Sequence, residues 1–152
     1  MRQVAAFAFI AWLGIGYSHG QSAGAGALPD VQVSKQPGCG CCEQWAQHMR
    51  KAGFKVTVTE ATDVDAMKRK HGIPDNLRSC HTSLVGNYRV EGHVPIDLVK
   101  KLLAEKPAVA GIAVPGMPIG SPGMESGSRV EPYNVIAFDA SGRQRVYASV
   151  NK

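Results

Sequence analysis

From position 31 the sequence reads VQVSKQPGCGCCEQWAQHMRKAGFKVTVT, ending at position 59. Alternating apolar residues predict a strand over 31–34, and apolar residues at helical spacing predict a helix over 39–52. Gly53 ends this helix, and a second alternating segment predicts a strand over 54–59. Together these segments form a βαβ unit, in which the two strands should be parallel and the crossover right-handed.

The rest of the chain adds two helices and two hairpins to this unit. A hairpin and a helix appended to a βαβ unit form the layout of a thioredoxin-like domain. We therefore predict an α/β (α+β) fold: a mixed sheet flanked by helices, with a long loop rich in Gly, Pro and Met and a C-terminal β-hairpin. The added elements are a helix at 62–71 with Thr62 as N-cap, strands at 82–85 and 88–90 around Gly86-Asn87, a helix at 95–105, and strands at 135–138 and 145–150.

The composition indicates one domain. With 152 residues, 44% of them hydrophobic, the chain can bury one core but is too short for two sizeable domains. Its 17 Lys and Arg residues exceed its 12 Asp and Glu residues, but they are scattered along the chain. The sequence therefore lacks the clustered basic stripe of nucleic-acid-binding proteins, and we predict no nucleic-acid partner.

The N-terminal segment, residues 1–27, has the pattern of a secretory signal peptide. Arg2 precedes an uncharged, largely apolar run over 4–15, and small residues follow up to Ala25-Gly26-Ala27. The apolar run is too short to span a bilayer comfortably, although an N-terminal anchor helix is the alternative. We expect cleavage after Ala27 or a few residues earlier, leaving a single domain at 28–152 in the periplasm without stable membrane insertion.

Three of the four cysteines lie within four residues, at the start of the first predicted helix. Cys39 and Cys42 form a Cys-x-x-Cys pair, and a helix N-terminus stabilises thiolates there. Thiolates serve both disulfide exchange and metal binding, so this pair alone leaves both functions open. Cys41 separates them, because adjacent helical residues point about 100° apart and one ion cannot easily bind all three. The spacing favours a polynuclear thiolate site, unless Cys41 is an incidental buried residue.

The fourth cysteine, Cys80, precedes the third predicted strand. In thioredoxin-like oxidoreductases a cis-proline occupies this position beside the Cys-x-x-Cys turn, but here no proline lies between Pro74 and Pro95. The register of the predicted hairpin places His93 opposite Cys80, with their Cβ atoms roughly 5 Å apart. His93 could therefore be a metal ligand, a hydrogen-bond donor or a proton carrier, or else a solvent-facing residue. His81 should point to the opposite face of the strand.

The donor set favours copper among the thiophilic metals. Thiolates suit Cu(I), Zn(II) and iron–sulfur clusters, but structural zinc usually shows two separated Cys-x-x-Cys pairs. About four Cu(I) ions would neutralise four thiolates, which suits a partly buried site. The loop VPGMPIGSPGMESG at 114–127 adds Met117 and Met124 in a seven-residue near-repeat. Their thioethers are soft enough to bind Cu(I), or they simply cover apolar surface.

Four motifs in order resemble the CopG-like family of exported bacterial copper-resistance proteins: CGCC at 39–42, SCHT at 79–82, EGHVP at 91–95 and VPGMPIGSPGME at 114–125. The family is thioredoxin-like, was long filed as a domain of unknown function, and is unrelated to the plasmid repressor of the same name. The resemblance extends over 31–150. It implies that Cys39, Cys41, Cys42 and Cys80 are copper-binding thiols, with periplasmic copper-handling proteins as candidate partners.

Three functions follow as hypotheses. The first is a periplasmic copper-resistance protein that binds several Cu(I) ions on the four cysteines, with His93, Met117 and Met124 as further candidate ligands. This protein could act as a copper oxidoreductase that couples Cu(I)/Cu(II) interconversion to a Cys39–Cys42 disulfide. The second is a thiol-disulfide oxidoreductase in which Cys39 attacks and Cys42 resolves. The third is a passive copper metallochaperone.

Overall fold

The computed structural model describes residues 27–151, so the predicted signal peptide lies outside the described residues except for its last position. These residues form three helices, seven strands and one 3₁₀ turn. In chain order they are β1 (Val31–Lys35), α1 (Gly40–Lys51), β2 (Val56–Glu60), α2 (Val64–Lys70), the 3₁₀ turn (Asp75–Leu77), β3 (His81–Val85), β4 (Tyr88–Glu91), α3 (Ile96–Glu105), β5 (Gly111–Ala113), β6 (Tyr133–Phe138) and β7 (Gln144–Val150).

All seven described strands join one mixed sheet in the order β2-β1-β3-β4-β5-β6-β7. Strand β1 pairs in parallel with β2 and antiparallel with β3, and β4 pairs in parallel with β5. The other neighbours are antiparallel. The first four strands and the three helices form the predicted thioredoxin-like unit, and β6 and β7 form the predicted C-terminal hairpin. The mixed α+β fold predicted from the sequence is therefore confirmed.

The register of the β3–β4 hairpin determines which residue lies opposite Cys80. Val85 pairs with Tyr88 across the predicted two-residue turn, and Thr82 pairs with Glu91. Beyond the ladder, the backbone N–H of Gly92 donates to the carbonyl of His81 at 2.9 Å. The pairing therefore continues towards Cys80 and the residue opposite it, as the predicted register requires.

Two local features differ from the sequence predictions. The N-cap of α2 is Asp63 rather than Thr62, since the Asp63 carboxylate accepts the backbone N–H of Ala66 at 2.8 Å. Strand β5 lies between the predicted helix at 95–105 and the predicted strand at 135–138, where the sequence predicts no regular element. It has only three residues, all of them buried, so it carries no alternating pattern that a sequence could reveal. Pairing with β4 and β6, it attaches the terminal hairpin to the sheet.

One apolar cluster holds helix α1 against the sheet. Trp45 and Met49 of α1 are fully buried with Val33 of β1 and Val90 of β4, and the Trp45 indole N–H donates to the Val94 carbonyl at 2.9 Å. This packing fixes the first turn of α1 beside the start of β3. Among residues 27–151, no helix has the length and apolar character needed to cross a bilayer.

Candidate metal centre

The first turn of α1 presents the Cys-x-x-Cys pair. Cys39 is the N-cap residue, and its sulfur accepts the backbone N–H of Cys42 at 3.3 Å. The two residues are joined in a disulfide, with their Cα atoms 5.4 Å apart. Cys42 is buried on the core side of the helix, whereas Cys41 is only partly buried. The pair is therefore in its oxidised form, with the Cys39–Cys42 disulfide that the sequence indicates.

The four cysteine sulfurs meet at one place. The Sγ atoms of Cys39 and Cys41 are 3.5 Å apart, and the Sγ atoms of Cys39, Cys41, Cys42 and Cys80 all lie within 4.8 Å of one another. In the described part of the chain, Cys41 and Cys80 are the free thiols. Helix α1 supplies three sulfurs, and the bend before β3 supplies the fourth. On reduction this arrangement would become a compact four-thiolate site.

His93 extends the site with a nitrogen atom. Its Nε2 lies 3.0 Å from the Cys80 sulfur, and its Nδ1 lies 2.8 Å from the carbonyl oxygen of Pro122. Because a carbonyl oxygen can only accept, Nδ1 carries the proton and Nε2 directs its lone pair at Cys80. Burial lowers the pKa of His93, so the ring is mainly neutral at neutral pH. The predicted contact between His93 and Cys80 is confirmed, and the alternative of a solvent-facing ring is wrong.

His81 also lies at the site, contrary to the sequence prediction. Its Nδ1 is 3.5 Å from the Cys80 sulfur, and its ring packs edge-on to His93 with 5.0 Å between the ring centroids. Alternation along a strand does not apply here, because β3 begins at His81 and Cys80 lies in the preceding bend. Burial lowers the pKa of His81 well below its usual value. Its adjacency to Cys80 was the one available signal.

The histidines and Cys80 form a second group of potential metal ligands that shares one sulfur with the first. The ligand atoms of Cys80, His81 and His93 lie within 4.8 Å of one another. Within the described residues, Nε2 of the fully buried His81 has no hydrogen-bond partner. Burial, reinforced by the nearby Cys41, raises the pKa of the Cys80 thiol to about 11. A metal ion must therefore displace a proton to bind this sulfur.

The long loop lies against the first turn of α1. Gly123 has a φ of +86°, and a Cβ atom there would lie 2.6 Å from the carbonyl oxygen of Cys41 and 2.9 Å from the amide nitrogen of Trp45. Only glycine allows this approach. Glu125 fastens the same segment, accepting the Gly123 N–H at 2.9 Å and pairing with His48 of α1 at 2.9 Å. The loop therefore covers the site from the side of His93.

The two candidate methionines lie on this loop. Met117 is 52% exposed and follows Gly116, whose carbonyl accepts the Ser79 hydroxyl at 2.5 Å. Met124 is partly buried and follows Gly123. The backbone of each methionine thus passes close to a segment that carries a cysteine. Their binding of copper stays a prediction.

Similar proteins were found at the level of family and of structure. Residues 77–124, which include Cys80 and His93, match a family described as "Protein of unknown function, DUF411". No curated protein matches the chain. Two solved structures of a protein named copper resistance protein CopG are 42% identical to this chain, each with a TM-score of 0.77. The match to form 2 covers 80% of this chain and 98% of the form 2 chain. The match to form 1 covers 82% of this chain and 99% of the form 1 chain.

Proposed function

Since the chain belongs to the CopG family of copper resistance proteins, we propose that it is exported to the periplasm and binds copper there on its four cysteines. The observation that carries this proposal is the convergence of four sulfur atoms within 4.8 Å. Thiolates are soft ligands that prefer Cu(I) to harder ions. Cys80 is distant in the sequence from the other three cysteines, so its convergence with them is a property of the folded chain.

The proposed site holds several Cu(I) ions rather than one. Cys41 and Cys42 are adjacent on a helix and cannot easily direct both sulfurs at a single ion. Bridging thiolates resolve this difficulty, because each sulfur can then contact two metal ions. About four Cu(I) ions would also cancel the four negative charges of a partly buried thiolate group. His93 would supply a neutral nitrogen ligand next to Cys80.

The proposed redox role uses Cys39 and Cys42. Oxidation of their two thiolates forms one S–S bond and releases two electrons, which reduce two Cu(II) ions to two Cu(I) ions. The disulfide between these residues supports this assignment, because the fold brings their two sulfurs close enough to form the S–S bond. A reductant of the dithiol class would return the pair to its thiolate form for the next cycle.

An anaerobic titration of the reduced chain, residues 28–152, with Cu(I) tests the proposal. We expect more than one Cu(I) per chain, and about four if the charges of four thiolates are neutralised. Copper-edge X-ray absorption should show that the copper ligands are mainly sulfur and that the copper ions lie a short distance from one another. A stoichiometry of one, or no binding after complete thiol reduction, would contradict the polynuclear site.

The disulfide also supports a second candidate, a thiol-disulfide oxidoreductase. That function needs neither Cys41 nor Cys80, and it usually has a proline where this chain has Cys80. Rapid insulin reduction that is abolished by Cys39→Ser but unaffected by Cys80→Ser would favour it. A passive metallochaperone would instead bind Cu(I) without converting Cu(II), which an assay for Cu(II) reduction with parallel thiol counting distinguishes.

A further inference from the structure

A buried ion pair lies next to the segment that carries Cys80. Lys68 of α2 is 2% exposed, and its ammonium group contacts the carboxylate of Glu91, a fully buried residue of β4. Replacing such a pair with well-packed apolar residues is often neutral or stabilising, because both charges must leave water. Overall stability therefore does not account for this pair, and its local contacts offer another reason.

The carboxylate of Glu91 binds the chain on both sides of Cys80. Its Oε1 accepts the backbone N–H of Ser79 at 2.7 Å, and its Oε2 accepts the hydroxyl of Thr82. Lys68 donates to the same Thr82 hydroxyl at 3.2 Å and also balances the charge of the carboxylate. One side chain therefore ties together the two ends of the four-residue segment at 79–82.

Close packing on the opposite side restricts Ser79 further. Gly92 follows Glu91 directly, and a Cβ atom on it would lie 2.5 Å from the hydroxyl oxygen of Ser79 and 2.7 Å from the Val114 carbonyl. The Ser79 hydroxyl in turn donates to the Gly116 carbonyl at 2.5 Å. The bend before β3 is thus restrained from β4, α2 and the long loop together.

We propose that Glu91 is a positioning residue that holds Cys80 at the copper site, with Lys68 paired to its carboxylate. In thioredoxin-like oxidoreductases a proline occupies the position of Cys80 and restricts its own φ angle. Cysteine imposes no such restraint, so the chain needs another means to hold the sulfur near the Cys39–Cys42 turn. The hydrogen bonds of Glu91 provide that means, and Lys68 donates to the same carboxylate. This inference rests on the proposed copper function.

Two double variants separate positioning from stability. The glutamine double variant, Lys68→Met with Glu91→Gln, removes both charges but keeps a carbonyl oxygen that can accept the Ser79 N–H. The leucine double variant, Lys68→Met with Glu91→Leu, removes both charges and the acceptor, while its apolar side chains can keep the core packed. Glu105→Gln, which removes the carboxylate of an exposed pair with Lys101, is the matched control. Thermal unfolding of every variant reports stability separately.

The first measurement needs no copper. In the disulfide form the free thiols are Cys41 and Cys80 among the described residues, so iodoacetamide labelling followed by peptide mass spectrometry compares their rates within one sample. Loss of the hydrogen bonds that restrain residues 79–82 should expose the Cys80 thiol. We expect the Cys80-to-Cys41 rate ratio to rise about tenfold in the leucine double variant and to stay within about twofold of wild type in the glutamine double variant and in Glu105→Gln.

The second measurement is the Cu(I) affinity of the reduced proteins, determined by competition with a chromogenic Cu(I) chelator. Loss of residues that orient metal ligands typically weakens binding by about 10–100-fold, so we expect about a tenfold loss or more for the leucine double variant alone. If that variant is folded and keeps both the labelling ratio and the affinity of wild type, the inference is wrong. Failure of the wild type to bind copper would contradict the proposed function but not the labelling result.

A near-isosteric variant keeps the inference testable if the leucine double variant does not fold. Thr82→Val removes only the hydroxyl that binds Glu91 and suits a buried strand position. We expect about a threefold rise in the Cys80-to-Cys41 labelling ratio, since one of the two hydrogen bonds from the 79–82 segment to Glu91 is lost. An unchanged ratio in folded Thr82→Val would overturn the positioning role.

Discussion

Cys80 differs from the other three cysteines in how it reaches the site. Cys39, Cys41 and Cys42 are brought together by one helical turn, whereas Cys80 depends on the pairing of β1 with β3 and on the bend before β3. Its sulfur lies 3.0 Å from Nε2 of His93, and its thiol pKa is raised to about 11 by burial. A buried thiol of this kind is unsuited to rapid disulfide attack but can bind a metal that displaces its proton.

Replacement of Cys80 therefore distinguishes copper binding from disulfide exchange. We expect Cys80→Ser to lower the number of Cu(I) ions bound and to weaken Cu(I) affinity by at least about tenfold, because one thiolate is lost. The matched control is Ser83→Ala, which changes a buried serine of the adjacent strand β3. Anaerobic titration with a competing chelator measures both quantities. Equal copper binding by Cys80→Ser and wild type would exclude Cys80 from the site.

His81 makes the stability of the metal-free protein depend on pH. Burial holds its folded pKa well below 6.5, so below pH 6.5 the unfolded chain binds a proton that the folded chain does not. The contribution of His81 to the free energy of unfolding is therefore fully present above the pKa of the unfolded chain. It falls as pH decreases below that value, by up to about 1.4 kcal/mol per pH unit. His81→Gln should flatten this dependence between about pH 6.5 and 5 in urea unfolding experiments. An unchanged slope would show that His81 does not titrate on unfolding.

The long loop between β5 and β6 is the element that completes the site. Its contact with α1 requires Gly123 at a left-handed φ, and the Pro122 carbonyl selects the tautomer of His93. The 2.9 Å contact between Glu125 and Nε2 of His48 holds the same segment on the helix. Although the loop has little regular structure, it shapes the donor set as directly as the strands do.

Substitution at Gly123 tests this contact. Gly123→Ala places a methyl group 2.6 Å from the Cys41 carbonyl and should lower the free energy of unfolding by about 1–3 kcal/mol. It should also release the hydrogen bond from His93 to Pro122, which nitrogen NMR of the imidazole ring would detect as a mixed tautomer. Gly127→Ala is the matched control, because Gly127 has a φ of +59° but no atom lies within 4 Å of its added Cβ. The loop contact would be refuted if both variants behaved alike.

At the level of the whole molecule, copper binding and folding should be coupled. The four sulfurs converge only when α1, β1 and β3 are assembled, so the proposed Cu(I) binding should favour the folded state over the unfolded one. The disulfide form retains only Cys41 and Cys80 as free thiols among residues 27–151. The oxidation state of Cys39 and Cys42 therefore decides how much copper binding can stabilise the protein.

Thermal unfolding under anaerobic conditions measures this coupling. At free Cu(I) one hundred times the Kd of a site, we expect about 2.7 kcal/mol of stabilisation for each Cu(I) ion that the reduced protein binds. The disulfide form should gain much less, since two of its four sulfurs cannot bind as thiolates. Equal shifts in the unfolding temperature of the two forms would mean that Cys39 and Cys42 do not bind copper.

Local pattern was sufficient to predict most of the fold. Apolar periodicity predicted α1 and α3, and the Gly86-Asn87 turn predicted the β3–β4 register that brings His93 to Cys80. The crowding of three cysteines at a helix start predicted a thiolate site. These features depend on neighbours in the sequence or on a single hairpin, so the sequence alone is enough to determine them.

Other features depended on contacts between distant segments. The burial of His81, the placement of β5 and the ion pair between Lys68 and Glu91 each require elements far apart in the chain to pack together. No periodicity marks such residues, because a buried charge or a three-residue strand has no repeating pattern. The sequence therefore determined the donor atoms of this protein, and the tertiary packing decided which of them meet and what holds them in place.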